Sequence, residues 1–476
     1  MKIRMPILSN LLKEKIPKLL KVHKVIWETE NYGLTDLAMD SMREFDLGWV
    51  DDFICKIRPY VCVRKIDRLL ILVPNQVYGL NESGIEIMSY LLSGHTITDL
   101  LLRVGNDENK RRDIHYFFCD LRAIMKGCLR DNEKRNAVDY HEFSDNLNVY
   151  PILSEVAVTY RCNLACEFCY VGDHCGRELS TNDLKKILFK IYHEAKVPSV
   201  SFTGGEPLLR EDIAKLISYA AQIGLWTNLI TNGTLLYDDT VRSLKKAGLS
   251  SAQVSIEGPN SEIHDMITGK QGAFDASTRG IASLRDAGIP VHTNTTLSRH
   301  NIAYAKEIVV LAKCLGLNRL SMNLLIPCGR AGSREDLWTS YSEIGDHIID
   351  IKRFAEEQDV RFLWYSPVPL CMFNPIASGL GNKACAAITG LLSIDPTGNI
   401  IPCSSWRQPV GSLLKSNFDE IWQSDGLDYY KHGEYAPTEC LQCDDYTVCR
   451  GACPLYWQAC GRGEIDGRFS CLFDTR

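Results

Sequence analysis

The sequence predicts an α/β chain: a partial (β/α)6 barrel, preceded by a small α+β winged-helix-like module and followed by a cysteine-rich C-terminal domain. Three observations carry this. From Tyr150 to about residue 365, β-rich apolar runs alternate with amphipathic helical stretches. Between residues 61 and 130, short strand-like runs precede three helical patterns. From residue 366 to 476, long periodic segments give way to closely spaced cysteines.

A chain of 476 residues has room for about three domains. Its 53 basic and 59 acidic residues leave a net charge of -6, which gives no electrostatic case for nucleic acid or an anionic membrane as partner. The N-terminal stretch MKIRMPILSNLLKEKIPKLLKVHKV is interrupted by charges and lacks a cleavage site, so it does not read as a signal peptide. No run reaches the roughly 18 apolar residues that a membrane span needs. A cytoplasmic location is expected. There, 19 cysteines argue for metal or redox use rather than a disulfide framework. Cys55, Cys62, Cys119 and Cys128 are scattered and read as small core hydrophobes.

Residues 1–60 form an extension of unassigned role, with Trp27, Tyr32 and Trp49 expected in a core. From Arg64, RKIDRLLILVPNQVYGLNESGIEIMSYLLSGHTITDLL gives short strands, a helix carrying Ile85, Ile87, Met88 and Leu91, a turn at Ser93-Gly94 and a second short helix. RRDIHYFFCDLRAIMKGCL adds a third helix with a stripe of Ile114, Phe117, Phe118, Leu121 and Met125. This is a β-β-β-α-α-α module over residues 61–130. Residues 131–149 are polar and read as a linker. Over residues 150–365, SEVAVTY, VPSVSFTGG, WTNLITNG, SAQVSIEG, IPVHTNTTL and LNRLSMNLLIP supply six parallel strands, with helices between them. Metal, rather than a large apolar core, is expected to hold residues 366–476 together.

In RCNLACEFCY, Cys162, Cys166 and Cys169 follow the first barrel strand directly. The carboxyl ends of parallel strands are where such sheets place ligand sites. A closed structural zinc takes four ligands, and a catalytic zinc with three protein ligands usually includes histidine or carboxylate. A four-iron cluster normally takes four thiolates, so three leave one iron open to a small molecule. Cys175, six residues on, is left unassigned.

CNLACEFCY, a C-x3-C-x2-C followed by an aromatic, resembles the cluster motif of the radical S-adenosylmethionine (radical SAM) enzymes. FTGGEP resembles that family's glycine-rich turn after the second strand. ITNGT, VSIEGP, TNTTL and PCGRA fall at the ends of the third to sixth expected strands, as the family's SAM-contact segments do. The resemblance implies that Cys162, Cys166 and Cys169 hold a 4Fe-4S cluster whose open iron binds SAM. It further implies that Gly204, Gly205 and Glu206 form the turn at the SAM amino group, that Ser255 contacts the ribose, Asn294 the adenosine end and Arg330 the carboxylate. Glu257 stands where the family often has Asp; no catalytic role is carried onto it, and no residue is singled out as acid or base.

Further on, Cys385, Gly398 and Cys403 are followed by Cys440, Cys443, Cys449 and Cys453 at intervals of two, five and three residues, and then by Cys471. This spacing is similar to the SPASM domain, an extension that binds auxiliary 4Fe-4S clusters; a structural zinc would also explain a lone C-x2-C pair. The resemblance implies two such clusters, three in all. One is held by Cys385, Cys403 and Cys453, with Cys371 as the natural fourth ligand and an open iron as the alternative. The other is held by Cys440, Cys443, Cys449 and Cys471, with Cys460 the less favoured replacement for Cys471. Cys314 and Cys328 fit neither pattern.

YGLNESGIEIMSYLLSGHTITDLL resembles the PqqD-like fold known as a RiPP recognition element, which binds the leader segment of a ribosomally made precursor peptide. Such modules add the peptide as a strand at a sheet edge. Together the resemblances imply a radical SAM oxidoreductase that cleaves SAM reductively to a 5′-deoxyadenosyl radical and modifies or crosslinks a precursor peptide. Its auxiliary clusters handle electrons, and a flavodoxin or ferredoxin is the expected donor. The alternatives are a sulfatase-type protein maturase or a cofactor-biosynthesis enzyme of the same family. A non-catalytic iron-sulfur electron carrier or peptide chaperone is a further alternative, against which the intact GGEP and three-cysteine loop weigh.

Overall fold

Two sheets organise the chain, one of three strands and one of ten. The computed structural model describes residues 45–74, 76–125, 149–172 and 176–465. Trp27, Tyr32, Cys128, Cys175, Cys471 and nearly all of the expected linker lie outside the described residues.

The N-terminal module comprises α1 (Val50–Ile57), β1 (Val61–Arg64), β2 (Leu69–Leu72), β3 (Gln76–Gly79), α2 (Glu82–Leu92), α3 (Ile97–Val104) and α4 (Glu108–Met125). The strands form an antiparallel sheet with β2 in the centre. Local signals set the helix starts: the Asn81 side chain accepts from the Gly84 amide, and Thr96 with Asp99 closes a capping box at α3. The expected stripe of Ile114, Phe117, Phe118 and Leu121 is buried against Ile85, Met88 and Leu91. Helix α1 falls in the stretch to which no role was assigned, yet Val50, Ile54 and Ile57 recur on one face and join this core. Trp49 packs at its edge. The expectation of buried cysteines fails for Cys55, which is exposed on α1, while Cys62 and Cys119 are half-buried.

The barrel alternates β4 (Leu153–Thr159), α5 (Thr181–His193), β5 (Ser199–Gly204), α6 (Ile213–Gln222), β6 (Trp226–Thr231), α7 (Asp238–Lys246), β7 (Ser251–Ser255), α8 (Ser261–Thr268), α9 (Ala273–Asp286), β8 (Val291–Leu297), α10 (Ala305–Cys314), β9 (Arg319–Leu324) and α11 (Tyr341–Glu357). Strands β4 to β9 pair in parallel in chain order, as the six sequence runs predict. Helix α5 shows the logic: Ser180 caps it, and Leu184, Ile187, Leu188 and Ile191 face the sheet, fully buried. Each such side chain contributes about 1.5–3 kcal/mol of apolar burial, opposed by chain entropy.

The sheet extends beyond the six expected strands. β10 (Arg361–Trp364) pairs in parallel with β9, and β11 (Leu391–Ile394) pairs in parallel with β4 on the opposite edge, Leu391 opposite Leu153. β12 (Asn399–Ile401) and β13 (Gly411–Ser412) continue it antiparallel. The C-terminal domain is thereby built onto the barrel sheet. Its Leu392, Ile400, Phe418, Trp422, Tyr456 and Trp457 belong to the same apolar core as the barrel, which corrects the expectation that metal would stand in for such a core. Among the described residues no helix is long and apolar enough to cross a membrane.

The module docks at the N-terminal ends of the barrel strands. Arg64 is buried, pairs with buried Asp67 at 2.8 Å, and donates to the carbonyls of Pro151 at 2.7 Å and Tyr150 at 3.0 Å. Asp67 in turn accepts from the Val149 amide at 3.0 Å. Ser199 donates to the Pro74 carbonyl, and Tyr60 packs on Trp226.

Candidate functional site

Period-two alternation gives the barrel strands an apolar face against the helices and a polar inner face. Val156, Phe202, Leu229 and Ala252 lie in the core. One residue before each in sequence, Glu155, Ser201, Asn228 and Ser251 stand in register across β4 to β7. The Asn228 amide donates to Ser201 Oγ at 3.2 Å and accepts from Ser251 Oγ at 2.8 Å. The barrel interior is therefore lined for a polar ligand.

The cysteine loop closes one end of this interior, and the turns after β5, β6 and β9 reach it. After β5, the Gly205 amide donates to the Thr159 carbonyl at 2.8 Å and the Glu206 amide to the Arg161 carbonyl at 2.8 Å. A side chain at Gly204 would sit 2.0 Å from the Thr159 carbonyl oxygen, and one at Gly205 would sit 2.2 Å from that of Arg161. Gly204 also has φ of +139°, outside the reach of most L residues. The two glycines thus serve a close approach of backbone to the cysteine loop, in addition to any role at a ligand.

Beyond β6, Asn232 donates to Asn163 Oδ1 at 2.9 Å, and Asn163 donates to Thr234 Oγ1 at 2.8 Å. The end of α8 accepts from the loop amides: Ala165 to the Thr268 carbonyl at 2.9 Å and Glu167 to that of Ile267 at 3.0 Å. After β9, the Arg330 amide donates to the Cys169 carbonyl at 3.0 Å and its guanidinium to the Cys166 carbonyl at 3.3 Å. Gly329, with φ of +56°, leaves room for the carbonyls of Cys169 and Tyr170. The Tyr170 hydroxyl donates to the Gly204 carbonyl at 3.0 Å.

Cys162, Cys166 and Cys169 are half-buried in this cradle. Burial and then the neighbouring charges, the other thiols of the loop among them, push the Cys162 and Cys166 thiols up. Three sulfurs held together suit an iron-sulfur centre, whose cationic core would offset the repulsion between their thiolates. Among the described residues no three His, Cys, Asp or Glu side chains converge on a single ion, and ligands on separate irons of a cluster have no need to.

The other expected residues have distinct surroundings. Glu206 is fully buried and its carboxylate is used inside the protein: it accepts from the Leu208 amide at 3.0 Å, Thr231 Oγ1 at 2.8 Å and the Asn232 amide at 2.8 Å. Burial pushes its pKa up to about 7, against those three donors. It ties the turn after β5 to the turn after β6. Ser255 and Asn294 stand side by side in register, and Asn294 is held by Asn323 at 2.7 Å and Ser321 at 2.9 Å.

Sequence reasoning gave no role to Glu257, yet it is buried, accepts from the Thr296 amide at 2.8 Å, and has its pKa raised to about 8 by burial. Its backbone amide donates to His264 Nδ1 at 3.0 Å. A lone acid after a strand carries no sequence signal of such burial.

The C-terminal cysteines separate into two groups. Burial and then the charges of Cys385 and Cys453 raise the Cys403 thiol, so these three are neighbours. Burial followed by Cys449, Cys371 and Cys443 raises the Cys440 thiol, to about 12. The Leu370 amide lies 3.3 Å from Cys449 Sγ, and Asn382 donates to the Val448 carbonyl. Cys371 therefore sits with the Cys440 group. This corrects its expected place beside Cys385, because the strap of residues 370–382 is pinned across Val448 and Cys449.

Comparisons with known proteins agree with this layout. Residues 156–312 match the Radical SAM superfamily and residues 385–444 match an iron-sulfur cluster-binding domain, SPASM. An AdoMet-dependent heme synthase of Oleidesulfovibrio alaskensis is 32% identical over 321 residues, 62% of this chain and 80% of that protein. A PqqA peptide cyclase of Bradyrhizobium diazoefficiens is 26% identical over 64% of this chain and 81% of its own. The fold resembles the crystal structure of Streptococcus suis SuiB bound to precursor peptide SuiA, with a TM-score of 0.62 at 17% identity, covering 83% of this chain and 95% of that one.

Proposed function

The chain belongs to the radical SAM superfamily and is a radical SAM enzyme whose cofactors are 4Fe-4S clusters and S-adenosylmethionine; we propose that its substrate is a ribosomally made precursor peptide, which it oxidatively modifies or crosslinks. The observation that carries this reading is the β-β-β-α-α-α module fixed to the barrel through the buried Arg64–Asp67 pair, with β1 and β3 as its outer strands. An outer strand is where an incoming peptide segment can be added to a sheet, the PqqD-like mode of leader capture.

In this reading Cys162, Cys166 and Cys169 hold the cluster that receives SAM. Gly204, Gly205, Ser255, Asn294 and Arg330 surround the nucleoside, and Glu206 keeps the two turns beside it in place. When bound there, SAM and the reduced cluster would supply the chemistry of hydrogen-atom abstraction. The protein's part is to hold the polar interior closed and dry, and its C-terminal cysteines would hold two further clusters, which would supply electron-transfer chemistry. The enzyme works in the cytoplasm with a flavodoxin or ferredoxin as electron donor.

A cofactor-forming reaction is the second reading, favoured by the 32% identity to a heme synthase. Anaerobic incubation with SAM and dithionite, with and without a leader-bearing precursor encoded beside the gene, separates the two. Dependence of 5′-deoxyadenosine formation on that peptide is expected. Formation stimulated by a porphyrin and not by the peptide would overturn the peptide reading.

A further inference from the structure

Glu155 stands on the polar inner face of β4, in register with Ser201 of β5 on one side and Ser393 of β11 on the other. One of its carboxylate oxygens, Oε1, collects three donors. Ser393 Oγ donates to it at 2.6 Å, the Ser404 amide donates at 3.1 Å, and the Ser404 hydroxyl donates as well. Ser404 follows Cys403, at the start of a turn in which the Cys403 carbonyl accepts from the Trp406 amide at 2.9 Å.

Glu155 and Ser404 are 249 residues apart in the chain. They meet because the sheet runs on past β4: Ser393 lies opposite Glu155 and also opposite Ile401 of β12, so the chain leaves β12 level with Glu155. Both polar groups that Ser404 can donate are thereby taken by a single carboxylate on the barrel wall. Hydrogen bonds to an ionised acceptor are stronger than those between neutral groups, so the backbone next to Cys403 is held firmly. The same carboxylate is a fixed negative charge, and an electron added nearby is disfavoured by it.

We infer that Glu155 is a positioning residue for the iron-sulfur cluster that Cys403 would hold: it sets the Cys403 turn against the barrel wall and keeps the reduction potential of that cluster low. The inference rests on the reading of Cys403 as a cluster ligand and deepens it. Glu155 acts through Ser404 and Cys403, and it makes the first barrel strand part of the support of the C-terminal site.

The test uses the full chain, reconstituted anaerobically with iron and sulfide and read by iron content and by redox titration followed with electron paramagnetic resonance. Added SAM marks the cluster of the Cys162 loop by its spectral response, and the clusters that do not respond are compared. Glu155→Ala removes the acceptor and is expected to lose about four of about twelve irons. Glu155→Gln keeps an oxygen for the Ser404 donors and removes the charge. It is expected to retain the iron and to raise the midpoint potential of one SAM-insensitive cluster, leaving the SAM-sensitive one unchanged. A side chain that only tied strands together would give no such shift. Full iron content in Glu155→Ala, or unchanged potentials in Glu155→Gln, would overturn the inference; should the alanine variant fail to fold, the glutamine variant decides. Cys403→Ala separates the two levels: if its iron content and spectra match those of the unaltered chain, the reading of Cys403 as a ligand fails rather than the role of Glu155.

Discussion

Replacing Gly205 with alanine tests whether the turn after β5 positions the cysteine loop. The new methyl would lie 2.2 Å from the Arg161 carbonyl oxygen and 2.6 Å from that of Tyr160. Carbon and oxygen approach no closer than about 3.3 Å, so the two segments must part by roughly 1 Å. Both obstacles are backbone, and no rotamer change relieves them. Overpacking of this kind costs about 1–3 kcal/mol. A displacement of about 1 Å at a reacting centre costs on the order of 100-fold in rate. Gly205→Ala is therefore expected to lower the melting temperature by several degrees and to slow 5′-deoxyadenosine formation about 100-fold. Gly463→Ala, whose added carbon meets nothing within 4 Å, serves as the control. Wild-type cleavage rate and melting temperature in Gly205→Ala would refute the argument.

Other consequences are as direct. Cys166→Ala is expected to abolish SAM cleavage, whereas Cys449→Ala is expected to leave cleavage intact and block peptide product; chromatography of the nucleoside and mass spectrometry of the peptide read the two separately. Arg64→Ala leaves Asp67 buried without its partner, which should cost about 3–5 kcal/mol and make the module–barrel junction sensitive to protease; Asp67→Asn in the same chain should return part of that loss. Burial holds the pKa of His292 at about 4, and its Nδ1 has no partner among the described residues. The unfolded chain, with histidine near 6.5, binds the proton more readily, so the stability present above about pH 6.5 falls as pH drops toward 4, by roughly 3 kcal/mol. His292→Gln should flatten that slope in anaerobic urea titrations.

The barrel was legible because β4 to β9 are long apolar runs between amphipathic helices, and local periodicity reports them. The strands it missed, β10 to β13, have two to four residues each and owe their structure to pairing at the sheet edges, which no local pattern encodes. Helix α1 was missed for a related reason. Its eight residues are too short to stand out, and only packing on α4 and its neighbours makes it part of the module.

The same division runs through the site. Cysteine spacing by itself determined that three sulfurs share the loop after the first barrel strand and that seven more follow a cluster-binding pattern. Ligands a few residues apart are bound to be neighbours whatever the rest of the chain does. Tertiary structure alone decided what meets that loop from afar, namely the Gly204-Gly205 turn, the end of α8 and the Cys328–Arg330 turn. It also decided that Cys371 joins Cys440 rather than Cys385. Groups separated by tens of residues come together only through the packing of the whole sheet, and spacing along the chain holds no record of it.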